Sequence, residues 1–228
     1  QWSFVSPLLF VHAAILLIVT IASIIAGRII PSFTGNAIPT AKPVIKMWQE
    51  KWGLWLMLLS GGLWLFNAPA WLVAPACLAA AGIQWLRWWG WRPLTTLRNP
   101  LLWILHVSYL WVPIGFALMS ITQTGYVSSS VVLHTFTVGA IAGLIMAMMT
   151  RTALGHTGRM LKAGRLEVVM YACIVSAALS RIGAGLFPAS VYSILIIVSL
   201  LAWLVGFSLY LWRYTPYLIR PRIDGKQG

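Results

Sequence analysis

The sequence predicts an all-α fold: a polytopic membrane helical bundle of about seven transmembrane helices, forming a single domain over residues 1–228. Three observations predict it. Of the 228 residues, 60% are hydrophobic and only 8% charged, too few charges to clothe a soluble domain of this size. Apolar runs of about 20 residues recur along the whole length, each long enough to cross a hydrocarbon core of roughly 30 Å. The runs are nearly continuous and lack the alternation of barrel strands, so helices must satisfy the backbone inside lipid.

Seven spans follow in order: 5–27, 51–66, 69–89, 100–121, 131–150, 166–187 and 189–212. The second is short and extends back toward Met47. Trp85, Trp88, Trp89 and Trp91 cluster at one end of the third, as interfacial anchors do, and Trp2 and Trp71 mark the opposite surface. Pro113 interrupts the fourth and frees a carbonyl near Tyr109. In the fifth, Gly139 and Gly143, extended by Ala147, make a small-residue stripe on which a neighbouring helix approaches closely. Cys77 and Cys173 fall inside apolar spans and read as small buried residues.

The connections alternate in charge. Basic ones follow spans one, three, five and seven: Arg28, Lys42, Lys46 and Lys51; Arg87, Arg92 and Arg98; Arg151, Arg159, Lys162 and Arg165; Arg213, Arg220, Arg222 and Lys226. The connections around Asn67, Thr122 to Ser130 and Pro188 carry no charge. Fifteen of the 16 basic residues thus lie on one side, so the positive-inside rule predicts an outside N-terminus and a cytoplasmic C-terminus. The net charge of +13 therefore reports topology, and no nucleic-acid partner is expected.

Ionisable groups at membrane depth are costly and mark candidate sites. Arg181 is the one basic residue off the cytoplasmic side, roughly 9 Å below the outer surface. His12 and His134 lie at similar depth, roughly 10 Å and 5 Å in. Imidazoles from two helices beside one guanidinium suit a haem: nitrogens on the iron, arginine on a propionate. His106 begins in the other leaflet and shares a helix face with Tyr109 and Pro113. If the loop carrying His156 folds back, then His106, His156 and Met149 or Met148 form a nitrogen–thioether set suited to copper. The two layers are separated by roughly 15 Å, so they cannot share an iron. Glu50, Glu167 and Asp224 are the only acids and are expected at cytoplasmic edges, which argues against proton-coupled transport. No nucleophile elbow, phosphate loop, His-Glu-x-x-His or Cys-x-x-Cys is present, which argues against hydrolysis.

Three blocks resemble the NnrS family: Gly27-Arg28-Ile29-Ile30-Pro31-Ser32-Phe33-Thr34-Gly35-Asn36, Leu102-Trp103-Ile104-Leu105-His106-Val107-Ser108-Tyr109-Leu110-Trp111, and the stretch from His134 to Arg159. The last ends in Met149-Thr150-Arg151-x-x-Leu154-Gly155-His156-Thr157-Gly158-Arg159, and Arg181 late in the next helix matches too. The resemblance implies a multi-pass protein of the bacterial inner membrane that holds haem (haem b) and copper. It also implies a link to nitric oxide metabolism and protection from nitrosative stress. His12 lies outside the matching blocks. Family members are longer at the N-terminal end, and this chain, opening on Gln1, is expected to be their larger C-terminal part. Expected partners are the lipid bilayer, nitric oxide or a related small molecule, and an electron donor such as a quinol or another redox protein. The competing expectation is a metal-free membrane subunit or scaffold, with the glycine stripe and the exposed arginines as contacts.

Overall fold

Proline sets where two of the helices begin. Pro7 and Pro100 stand in the first turn of α1 (Pro7–Ala37) and α4 (Pro100–Ser120), where a missing N–H leaves no bond unmade. The computed structural model describes residues 6–225, with α2 (Met47–Leu65), α3 (Ala70–Gly90), α5 (Ser129–His156), α6 (Arg165–Ala184) and α7 (Tyr192–Leu218) completing the set. No strand occurs among the described residues. At the start of α6 the Gly164 N–H donates to Glu167 Oε2 at 2.7 Å, satisfying a donor that has no partner within the helix.

Two helices outrun the spans read from the sequence. α1 continues through Pro31 to Ala37, because one lost N–H bond does not stop a helix whose buried face carries on through Ile30, Pro31 and Thr34. α5 continues to His156 and turns only at Gly158, whose φ of +75° suits glycine. His156 is therefore the last residue of a helix, not part of a loop. Within α5, residues Thr135–Ile141 wind as a π-helix directly after His134, a local widening that often accompanies function.

Six of the seven helices are long and apolar enough to cross a membrane; α2 falls short of that measure. Its first two turns carry Gln49, Glu50, Lys51 and Gly53, of which Glu50 and Gly53 meet Arg87 of α3 inside the bundle. α4 and α5 are the most buried, whereas α1 and α7 present the widest apolar surfaces. On α7, Ile194, Ile197, Leu200, Leu201 and Leu204 are all more than half exposed. In water such a face would aggregate; lipid is the solvent that fits it.

The glycine stripe meets α4, as its spacing predicts. A Cβ on Gly139 would fall 2.6 Å from the Trp111 ring, and one on Gly143 would strike Ser108. From the other side, a Cβ on Gly115 would strike the Phe136 ring. The two helices interlock through these missing side chains.

The ends of the bundle differ in charge. At one end Val44 N–H donates to Gly90 O, Arg151 lies 3.9 Å over the Phe33 ring, and Ile223 N–H donates to Thr157 O. These contacts gather the basic connections. At the other end Trp64 Nε1–H donates to Thr122 Oγ1 and Gln123 to Ala68 O, joining connections without charge.

Candidate functional site

The basic half of the bundle holds a polar cluster that four helices build together. α3 presents Gln84 and Arg87 one turn apart, α1 Ser23, α2 Glu50 and α4 Tyr109. Arg87 is 3% exposed, a position tolerable only with full pairing. Its Nε donates to Glu50 Oε1 at 2.8 Å and its Nη2 to Glu50 Oε2 at 2.6 Å. Nη1 lies 2.8 Å from Ser23 Oγ, 2.5 Å from Gln84 Oε1 and 2.8 Å from Tyr109 Oη. Nη2 also reaches the Ser23 carbonyl at 3.3 Å. The Tyr109 hydroxyl donates to Gln84 Oε1 and contacts Ser23 Oγ. Gly27 and Gly53 leave the space: a Cβ on Gly27 would land on the Arg87–Glu50 pair, and one on Gly53 would crowd Gln84 and Arg87 at 3.2 and 3.3 Å.

Above this pair lies a cavity of about 420 Å³ between α1 and α2, walled by Ile24, Leu54 and Met57 and floored by Ser23, Glu50 and Arg87. Trp91 is fully buried against Tyr109, with ring centroids 4.5 Å apart. Trp88 Nε1–H donates to the His106 carbonyl at 2.9 Å. Only Trp85 and Trp89 of the tryptophan cluster face outward. The reading of all four as interfacial anchors therefore fails for Trp88 and Trp91, which found partners in α4.

This cluster was the feature hardest to see in the sequence. Arg87 reads as one of the topological cations, although it lies within the third span. Its companion Gln84 at i − 3, and the lone acid Glu50, were the available signals. Glu50 is a quarter exposed and paired inside the bundle. Glu167 is 3% exposed, accepting from Tyr214 Oη at 3.1 Å besides Gly164 N–H. Two of the three acids thus lie within the helix packing, not at solvated edges, because buried donors hold them there. The expectation that the acids stand only at the edges therefore fails for Glu50 and Glu167, and with it the argument it gave against proton-coupled transport.

The predicted inner-layer residues separate. His106 is 2% exposed, with Nε2 3.0 Å from Thr34 Oγ1 and a buried Nδ1 that has no hydrogen-bond partner among the described residues. His156 is exposed at the end of α5, and its backbone carbonyl accepts from Arg222 at 3.0 Å. His106 and His156 share neither a hydrogen bond nor a ring contact. Met149 is half-buried in the α5 packing. Among the described residues, no three His, Cys, Asp or Glu side chains gather where they could hold a metal ion.

The outer layer is more open. His134 is half-buried, with Nδ1 2.6 Å from the Ser130 carbonyl. A carbonyl only accepts, so Nδ1 carries a proton, and in the neutral ring Nε2 keeps a lone pair. Arg181, half-buried on α6, lies near enough for its charge to act on the His134 ring. No hydrogen bond or ion pair joins the Arg181 side chain to another described residue. His12 leans on Trp64, ring centroids 5.3 Å apart, and lines a separate cavity of about 380 Å³ with Thr122, Gln123 and Ser129. The His12 and His134 rings do not touch.

The architecture and its buried polar layers define a polytopic helical membrane protein with ionisable side chains at both depths of the bundle. The model of the NnrS protein family matches residues 1–222, and the chain belongs to that family. Membership makes it a membrane protein related to nitric oxide. No curated protein and no solved structure matches the chain.

Proposed function

We propose that this protein binds haem and works in nitric oxide metabolism or in protection from nitrosative stress at the bacterial inner membrane. The basic end is assigned to the cytoplasm by the charge rule, which makes His134 and Arg181 the outer layer. The single observation carrying the haem reading is the state of His134. Its Nδ1–H is tied to a backbone carbonyl and its Nε2 is left as a ligand, the arrangement metal-bound imidazoles adopt.

The residues fit the group. His134 would hold the iron, and Arg181, which has no ion pair among the described residues, would meet a propionate. His12 is the candidate for a second ligand, at the cost of its stacking on Trp64. When bound, haem supplies a redox iron able to take up nitric oxide. The chain's own part is to fix the imidazole tautomer through Ser130 and to supply the cation. A copper ion is a poorer fit: His106 offers one nitrogen without a partner among the described residues, His156 is exposed, and no three His, Cys, Asp or Glu side chains gather among the described residues.

The test is the visible spectrum of the purified protein with haem supplied. A Soret band is expected, and His134→Ala should abolish it or shift it to the high-spin form. An unchanged His134→Ala spectrum would move the iron elsewhere, and a wild-type protein without the band would sink the reading. The scaffold alternative draws on His106 and His12 having partners within the chain, Thr34 and Trp64. Under it, iron and copper stay at background in elemental analysis.

A further inference from the structure

We infer that the cavity between α1 and α2 is a binding site for the head group of a neutral, ring-shaped hydroxyl donor of the quinol class, with the Glu50 carboxylate as its acceptor. The inference rests on the reading above in one respect: haem chemistry on nitric oxide needs an electron carrier, and a quinol is one dissolved in the bilayer.

The chemistry of the floor selects the ligand. Arg87 has five N–H groups, and Glu50, Ser23, Gln84 and Tyr109 engage every nitrogen that bears them. It has none left to offer a phosphate or carboxylate. Paired with Glu50 at 2.6 Å, it leaves the floor itself without net charge, and Arg28 is the cation that remains in the lining. Glu50 differs. Each of its oxygens accepts one bond from Arg87, and a carboxylate oxygen can accept two. The carboxylate is a quarter exposed and lines the cavity, so its remaining lone pairs call for an O–H donor.

The walls fix the rest of the molecule. Ile24, Ile45, Leu54 and Met57 are apolar, and about 420 Å³ lies within the size of small-molecule sites. Ile24 and Ile45 are more than two-fifths exposed, so the opening lies at the lipid-facing gap between α1 and α2, where a hydrocarbon tail can trail into the bilayer. Arg28 stands at the rim, where an anionic lipid is the main competitor. Hydrogen-bond donation to the carboxylate distinguishes the two.

The intact protein in phosphatidylcholine nanodiscs is titrated anaerobically with a short-chain ubiquinol by calorimetry, and empty nanodiscs give the partition background. Saturable binding at one site per chain is expected. The di-O-methyl ether of the same quinol, which keeps the ring and loses the O–H, should bind at least tenfold more weakly. Ile24→Trp, which fills the cavity without touching the ion pair, should weaken quinol binding by a similar factor and leave the absorption spectrum unchanged. Partition alone, equal affinity for the ether, an unaffected Ile24→Trp variant, or displacement of the quinol by phosphatidylglycerol would each overturn the assignment. Saturable quinol binding by a protein that takes up no haem would sink the proposed function and leave this site standing. A normal Soret band without quinol binding would do the reverse.

Discussion

Arg87 and Arg181 are both arginines within helices of one membrane bundle, and their surroundings are opposite. Arg87 is enclosed by four helices that satisfy each of its nitrogens, with two glycines kept small to admit it. Arg181 is half-buried, its side chain joined to no described residue by a hydrogen bond or ion pair, and near an imidazole with one nitrogen free. A saturated cation serves the fold and positions what surrounds it. An unsaturated one, retained at a desolvation cost, points outside the chain's own side chains. His106 and His134 repeat the contrast less sharply, since His106 has one satisfied nitrogen and one without a partner.

The contrast is broken most directly at Glu50. Glu50→Ala strands a buried guanidinium and should cost about 3 kcal/mol, toward the low end for a buried pair because Glu50 is partly exposed. Removing Arg87 as well should recover part of that loss. Thermal unfolding in one detergent measures the cycle, and additive losses would mean that the pair is not coupled. A smaller effect is expected at Thr34→Val, which takes the hydroxyl from His106 and leaves both ring nitrogens bare. About 1–2 kcal/mol should be lost, with the haem spectrum retained. Bleaching of that spectrum would instead bring His106 into the haem site. The smallest change in stability belongs to Arg181→Ala, within about 0.5 kcal/mol of wild type, because no partner in the described chain is abandoned. Its haem content should nevertheless fall on purification. A stability loss matching that of Glu50→Ala would erase the distinction between the two arginines.

Much of the frame was legible in composition and periodicity. Helices occupy all seven apolar stretches, and the stripe of Gly139 and Gly143 meets a neighbour at close range. The uncharged and basic connections gather at opposite ends, as their alternation along the chain implies. Helix ends were less legible: α1 ignores Pro31, and α5 runs to His156, since the packed face and not the local breaker decides where winding stops. The site was the least legible part. Arg87, Trp88 and Trp91 look like members of a basic, tryptophan-rich membrane edge. Only the approach of Ser23, Glu50 and Tyr109 from three other helices turns them inward.

Taken alone, the sequence determined the solvent, the helical fold and the end of the bundle that carries charge. These depend on sums over many residues, and hydrophobic and charge terms add along a chain whatever its three-dimensional path. The tertiary structure decided which polar side chains are spent and which remain available. That outcome turns on whether single donors and acceptors from distant segments meet within about 3 Å, and no count along the chain contains that distance.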